Sequence, residues 1–459
     1  MGQYTWKRVY GGVERDVARA VKALPDGGAV ICGSTGSFGT AGGDLYLIRV
    51  DQEGDRTWSL VVGGPGVQEG RAVVLLPDGG FLAVGITDTG EHGGYDGYAV
   101  RVSAEGAVLW ERSYGTAAWD FLSSGDYDGT HLVLGGTTFG MDDPAGDLLL
   151  LRMDLMGEVL WMNGYGTSGS DDGGYVRVLS TGSYVVAGTT GDGEEADGLV
   201  CAVGVDGTAQ WCTRVEEAGT QWVGGIDVDD QDAVFLAGYM FAGEEHRRMY
   251  LAKVSATGQV LMSRAVSSGG ADWEARTVRA LADGRISVAG YTAEHGAGDR
   301  DISMLFLDPG GEFLSGPTYG GVQRDEAWSM DLANDGAYYI AGSTRSFGPG
   351  AESFFVIRSD GDTLNGPVGS YSDPVGVREG VPSGAFRVVP MPLGVGAMAQ
   401  VHGGGAISRV VFRDVVGRRV AEVRASSGEF LVPTLVPGVY TLQLYEDLRL
   451  RSAQQVLIE

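Results

Sequence analysis

The sequence predicts an all-β chain: a seven-bladed β-propeller of four-stranded blades, its amino-terminal strand closing the last blade, followed by a small Ig-like β-sandwich. Three observations predict it. One phrase, a β-branched or aromatic run ending in a small residue and Gly, recurs as AVICGST, FLAVGIT, LVLGGTT, YVVAGTT, VFLAGYM, ISVAGYT and YYIAGST. Its Gly falls at Gly33, Gly85, Gly136, Gly188, Gly238, Gly290 and Gly342, a nearly constant spacing. A period near fifty, built from strand-like pieces, marks a radial repeat. Finally, no window carries the apolar spacing of an amphipathic helix, while 78 Gly among 459 residues point to many tight turns.

Each repeat divides into four strands. Repeat 2 reads GRAVVLL, the turn PDGG, FLAVGIT, a variable loop, DGYAVRV, the turn SAEG, then AVLWERSYG. Short strands joined by Asp-Gly or other Gly-containing turns are hairpins. The first strand is expected to line the channel and the last, bearing Trp6, Trp58, Trp110, Trp161 or Trp211, to lie outermost. Trp6 to Gly12 is an outer strand with no preceding repeat, and the matching segment at Leu364 to Pro367 has no Trp. The amino-terminal strand is therefore expected to pair with Phe354 to Arg358 and leave no open sheet edge. That strand order and its outer Trp resemble the Trp-docking propellers of quinoprotein type. No quinone site accompanies the likeness. The phrases GGDLYLIRVDQEGDRTW and YGGVERDVARAVKALPDGGAVICGSTGSFG also resemble a repeat of secreted proteins from Bacteroidetes-like bacteria and some archaea, over residues 1–370.

A stretch rich in Gly, Ser and Pro at 366–384 carries no strand pattern and ends the period. The expected division is a propeller at 1–370, a linker at 371–385 and a second all-β domain at 386–459. The last part resembles the carboxy-terminal sorting domain of the type IX secretion system. Pro390 and Pro392 stand where that family opens with Pro-Asn-Pro, with Met391 in place of the Asn. Asp414 and Gly417 to Val420 match its central turn and strand. Leu435, Pro437, Gly438, Val439 and Tyr440 match its Leu-x-Pro-Gly-x-Tyr phrase, and Val456 to Ile458 its terminal strand, with Gln455 where Lys is usual. The resemblance implies the type IX machinery as a partner and an extracellular or outer cell-surface address.

Charge narrows the partners. The 60 acidic and 33 basic residues give a net charge of −27, so nucleic acid and anionic membrane surfaces are poor partners. No apolar run is long enough to cross a bilayer, and no membrane span is expected. Met1 to Tyr4 carry neither a basic nor an apolar segment, which reads as a mature terminus with its leader excluded. Three Cys rule out a disulfide framework. Cys32 reads as packed in a strand. Cys201 and Cys212 flank one turn; a two-residue turn would set them face to face and a bulged turn one residue out of register. Two half-buried thiols are expected.

No catalytic phrase stands out. His92, His131, His246, His295 and His402 lack metal-ligand spacing, and no cofactor is expected. Asp227 to Asp232 looks like a Ca2+ loop but lacks the Gly and the bidentate Glu, and reads as a solvated turn. Asp44, Asp96, Asp147 and Asp301 follow their repeat's Gly at one fixed offset, at the start of the third strand. Arg49, Arg101, Arg152 and Arg358 follow it at a second fixed offset. Charges repeated this way are scaffold: a turn cap or a buried pair.

Another acidic set precedes the Gly by a distance constant to within one residue. It comprises Asp16, Glu69, Asp120, Asp171 with Asp172, Glu274, and Asp325 with Glu326. Trp119, Trp222, Trp273 and Trp328 sit beside this position. In a propeller these residues would ring one channel mouth, where acids and aromatic faces suit sugars or cations. Alternatively, the acids cap loops and the Trp residues wedge between blades. The expected function is a secreted binding or interaction module, with a glycan or surface protein as partner. An extracellular carbohydrate-active enzyme using two of these carboxylates and a purely structural surface or filament subunit are the alternatives.

Overall fold

The computed structural model describes residues 5–361 except 41, 142–143, 192, 194–195, 242–244 and 267–269. Beyond them it describes 369–371, 378–380, 386–389, 395–403, 407–413, 419–426, 429–446 and 449–458. No α-helix occurs among the described residues. The chain divides into two compact units, Met1–Val61 with Pro65–Arg378 and Val62–Gly64 with Glu379–Glu459.

The larger unit is built from sheets of propeller type, one to each repeat, each with a core of antiparallel strands; four are four-stranded and three carry a fifth strand. Sheet 1 runs from Asp16–Ala23 through Ala29–Thr35 and Asp44–Val50 to Arg56–Val62. Sheets 2 to 7 begin at the inner strands Gln68–Leu75, Asp120–Tyr127, Asp171–Val178, Thr220–Val228, Trp273–Ala280 and Asp325–Leu332. Second strands such as Phe81–Thr87 are buried at every position, because each lies in mid-sheet with a neighbouring sheet on either face. Their continuous apolar, β-branched sequence follows from that burial.

The fourth strand of sheet 7 is Trp6–Tyr10. It lies antiparallel to Ser353–Ser359, with Trp6 opposite Arg358 and Tyr10 opposite Phe354. Gly369–Tyr371 adds a parallel strand beyond it, and Arg378–Gly380 is also a strand. The stretch at 366–384 therefore does contain strands, which its Gly and Pro content concealed. In sheet 6 the outer strand is split into Phe313–Ser315 and Thr318–Tyr319. Pro317, between them, has no N–H for the ladder.

Outer strands grip the next sheet. The indole N–H groups of Trp6, Trp58, Trp110 and Trp161 donate to the carbonyls of Gln52, Ala104, Leu155 and Val205 at 2.9 to 3.2 Å. Those acceptors sit at the outer hairpin turn of the following sheet. Tyr10, Tyr114 and Tyr165 add a hydroxyl bond to the Gly54, Gly157 and Gly207 carbonyls of the same turns. Each junction thus joins apolar burial to a satisfied polar tip.

The repeated Gly has a steric cause. Every inner strand carries a bulge opposite it, which pushes a backbone carbonyl against the Gly Cα. A Cβ at Gly85 would collide with the Glu69 carbonyl oxygen, and one at Gly290 with that of Glu274. In sheet 1 Ala18 pairs with Gly33 and Ala20 with Cys32, which leaves Arg19 unpaired and turned out of the ladder. A bulge re-aims one side chain in this way.

The repeated charges are scaffold. Asp44, Asp96 and Asp301 accept the amide four residues earlier, from Thr40, His92 and Ala297. Arg49, Arg101, Arg152 and Arg358 each pair with the first hairpin-turn Asp of their own sheet: Asp26, Asp78, Asp128 and Asp335. In the Asp227–Asp232 turn, Asp229 caps Gln231 and Ala233 and meets Lys253. Asp232 is buried and accepts from the Ser180 amide and hydroxyl, 2.8 and 2.7 Å. A turn expected to be solvated is thus bound into the neighbouring sheet.

Cys201 and Cys212 are joined in a disulfide, against the expectation of two thiols. The turn is bulged, yet the bulge lies between Ala202 and Val203, on the turn side of the pair, so the two Cys stay directly opposite. Cys32 is a free, buried thiol, and burial pushes its pKa well up.

In the smaller unit, a sheet of Phe386–Val389, Met398–Gly403 and Glu429–Leu431 shares one core with a sheet of Arg419–Arg424, Arg409–Arg413, Gly438–Glu446 and Arg449–Ile458. Phe412, Phe430, Leu442, Leu444 and Ile458 fill that core. The Tyr440 hydroxyl donates to the Val436 carbonyl at 2.7 Å, which fixes the turn before Gly438, and Pro437 is exposed. Pro390, Pro392 and Gly417 lie outside the described residues.

Candidate functional site: the channel lined by bulged residues

The inner strands of all seven repeats converge on one cavity of about 270 Å³. The side chains at its wall follow from the bulges. The residues left without a ladder partner are Arg19, Arg71, Ser123, the pair Gly173–Gly174, Gly224, Arg276 and Trp328. All of them except the Gly173–Gly174 pair line the cavity, and Tyr175 takes that place. In ring order Arg276, Trp328, Arg19 and Arg71 are consecutive, so sheets 6, 7, 1 and 2 present a cationic crescent. Sheets 3 to 5 oppose it with Ser123, Tyr175 and Gly224.

Within the crescent the guanidinium carbons of Arg19 and Arg276 lie 3.8 and 4.1 Å from the centre of the Trp328 ring. Both contacts are close cation–π contacts. Arg276 also bonds Glu274, and Arg71 approaches Glu69 at 3.6 Å. Arg19 has no ion pair or hydrogen bond among the described residues. Burial pulls its pKa down to about 10; Glu69 opposes that shift, while Arg71, Arg15 and Arg276 add to it. No acceptor reaches the buried indole N–H of Trp328 among the described residues.

Three residues further along the inner strands lies a second ring of different character. Lys22, Asp126, Arg177, Asp227, Arg279 and Asp331 alternate in sign around it. Arg177 and Arg279 bond Asp227 and Asp331 at 3.2 and 3.1 Å. The free oxygens of Asp331, Asp126 and Asp227 accept the amides of Ala23, Val178 and Ala280 on the next sheet. Burial works against the charge on Arg279, yet Asp227 and Asp331 outweigh it and raise its pKa. Asp331 is brought below the usual carboxylate range by Lys22 and Arg279, against its own burial. Lys22 is lowered by burial, with Asp331 opposing.

The acids predicted to ring the mouth separate into two structural positions. Counting back from the Gly leaves one residue of play, and adjacent strand residues face opposite ways. Asp16, Asp120, Asp171 and Asp325 open their strands, are fully buried and accept the amides of Gly12, Thr116, Thr167 and Gly321, each four residues back. None lines the cavity. Glu69, Asp172, Glu274 and Glu326 come one residue later. Glu274 bonds Arg247, Arg276 and the Tyr291 hydroxyl. Asp172 accepts from Thr137 at 2.6 Å.

The four Trp residues separate as well. Trp119 is 54% exposed at the edge of Tyr95, and half-buried Trp222 stacks on Tyr239. Trp273 is 7% exposed in the core and bonds Glu294 at 2.7 Å. Of the residues predicted as ligand-binding, Trp328 alone lines the cavity. The arginines that flank it carry a recoverable sequence signal. Arg19, Arg71 and Arg276 stand at one constant offset before the Gly of their repeats, close to the position that repeated acids make conspicuous.

No protein-family model matches the sequence, and no curated protein is similar to it. Several solved structures are similar in fold. The WD40 domain of Neurospora crassa Pan2 is 10% identical, with 81% of this chain and 99% of that one covered and a TM-score of 0.49. A protein of unknown function from Dyadobacter fermentans is 13% identical, with coverages of 77% and 97% and a TM-score of 0.47. PorZ, a surface component of the type IX secretion system of Porphyromonas gingivalis, is 11% identical, with coverages of 98% and 75% and a TM-score of 0.34. At these scores none bears on what the chain does.

Proposed function

We propose that this chain is a secreted binding or interaction module: a seven-bladed propeller over 1–370, a linker at 371–385 and an Ig-like sorting domain over 386–459. Its place is the extracellular space or the outer cell surface, reached through a type IX-like signal that includes Pro390, Pro392, Gly417, Pro437, Gly438 and Tyr440. Ligand enters the channel where the inner strands converge. The observation that carries this reading is the bulge ring, in which the repeats offer unpaired residues to a single cavity. Such residues do nothing for the ladder, so their chemistry is free to serve a ligand.

Two measurements test it. In a host with a type IX system, removing 386–459 should leave the propeller in the periplasm; normal surface display of the truncated chain would remove the sorting assignment. For the channel, Ser123→Trp fills the open side of the ring. It should abolish binding of any ligand found by glycan array or small-molecule thermal shift while the fold melts as before. Undiminished binding in that variant would place the ligand elsewhere.

A further inference from the structure

We propose that the channel ligand carries an oxyanion, a carboxylate, phosphate or sulfate group, held by Arg19, Arg71 and Arg276 around Trp328. This deepens the reading above and rests on it. The protein carries a net charge of −27, so three arginines in four consecutive ring positions do not follow from its composition. Like charges gathered in a partly desolvated channel raise the free energy unless counter-charges meet them. The alternating ring nearby gives each cation an acid on a neighbouring sheet, whereas the crescent leaves Arg19 without one. Glu274 is shared between Arg276 and Arg247, Glu69 stands 3.6 Å from Arg71, and Arg19 has no acid within ion-pair distance among the described residues.

The cation–π contacts with Trp328 hold the Arg19 and Arg276 guanidinium groups beside one ring; Arg276 also bonds Glu274, while Arg19 makes no hydrogen bond among the described residues. Planar, multiply donating guanidinium groups suit carboxylate, phosphate and sulfate oxygens. The facing side is lined by Ser123, Tyr175 and Gly224, with only small residues on either side of the Tyr. A volume of about 270 Å³ admits a small acid or one acidic sugar residue.

The test uses the full chain and thermal melting. Sodium phosphate, sulfate and glucuronate are compared with sodium chloride at equal ionic strength, and glucose serves as the neutral sugar. At least one oxyanion should raise the wild-type Tm above the chloride control, and glucose should not. Arg19→Gln should weaken that oxyanion's binding at least tenfold, yet melt no lower than wild type without it, since it removes a cation that lacks a counter-charge. Phosphate or sulfate acting where glucuronate does not would assign a free inorganic anion or its ester; glucuronate acting alone would assign an acidic sugar. An equal rise in wild type and Arg19→Gln is a general salt effect and overturns the proposal, as does the absence of any rise. If glucose binding is lost in Ser123→Trp but kept in Arg19→Gln, the channel reading survives and the oxyanion falls. If oxyanion binding persists in Ser123→Trp, both fall.

Discussion

Two rings on the same inner strands, three residues apart, solve the same electrostatic problem in opposite ways. In the alternating ring each cation has an acid on a neighbouring sheet, and those acids also take up backbone amides. Charge pairing then outweighs burial: Arg279 is raised and Asp331 lowered. In the crescent Arg19 is lowered and the charges are crowded on one side. Charge balance separates frame from site more sharply than residue type does. Arg177 and Arg279 bind sheets together, whereas Arg71 meets only Glu69 of its own strand and Arg19 has no acid within ion-pair distance among the described residues.

Both rings require the sheets to close on themselves, so removing residues 1–12 is the coarsest way to break the comparison. It exposes the Phe354–Arg358 edge that Trp6–Tyr10 covers. Aggregation or a large fall in Tm should follow, and a monomeric truncation with unchanged melting would contradict it. Next in size is Asp331→Ala, which leaves Lys22 and Arg279 short of their acid and frees the Ala23 amide. Loss of a buried partner should cost about 3–5 kcal/mol in denaturant unfolding. Arg19→Gln should go the other way, a gain on the order of 1 kcal/mol without ligand. Opposite signs from the two rings are the decisive pattern; a loss in both would make the crescent structural.

The smallest effect concerns pH. Asp301 and Asp325 are raised above their ordinary value of 3.8, chiefly by burial, and Asp325 adds to the shift of Asp301. A raised carboxyl binds its proton more tightly in the folded chain. Its stabilising contribution is complete below the unfolded value and is lost as pH rises through the folded one. Asp331 and Glu352, both lowered, contribute above the ordinary carboxylate value and lose this as pH falls through their depressed values. Mild acidification from pH 7 should therefore stabilise the protein before stronger acid unfolds it. Asp301→Asn should raise stability at pH 7 by up to about 1 kcal/mol and flatten the gain on moving to about pH 5. A variant with the wild-type pH slope would show that this carboxyl is not responsible.

The all-β fold was legible in the sequence because its demands repeat. Each second strand needs a Gly beneath a bulge carbonyl, each Trp-bearing outer strand needs its indole, and each first turn from Asp26 to Asp335 meets a third-strand Arg or Lys in the blades where that pair occurs. The wall of the channel was not legible, for two physical reasons. Neighbouring residues of a strand face opposite ways, so a count from the Gly that allowed one residue of play merged loop-capping Asp16 and Asp120 with Glu69 and Glu274. And the residues that reach the channel differ from blade to blade, Arg19 here and Gly224 there, so no common periodicity announces them. The disulfide was missed through a related device, since the position of a bulge within the Cys201–Cys212 hairpin decides whether the two face each other.

The bulge has an evolutionary consequence. Its extra residue lies outside the hydrogen-bond ladder, so at positions such as Arg71 and Ser123 an exchange leaves the ladder intact, whereas a Cβ at Gly224 would meet the Ala275 carbonyl. Each such position is encoded some fifty residues from the next, and one codon change in one repeat alters one point on the channel wall while the other repeats stay as they are. The lining of the channel can therefore change by one-residue steps at the positions where a side chain already stands, such as Arg71 and Ser123.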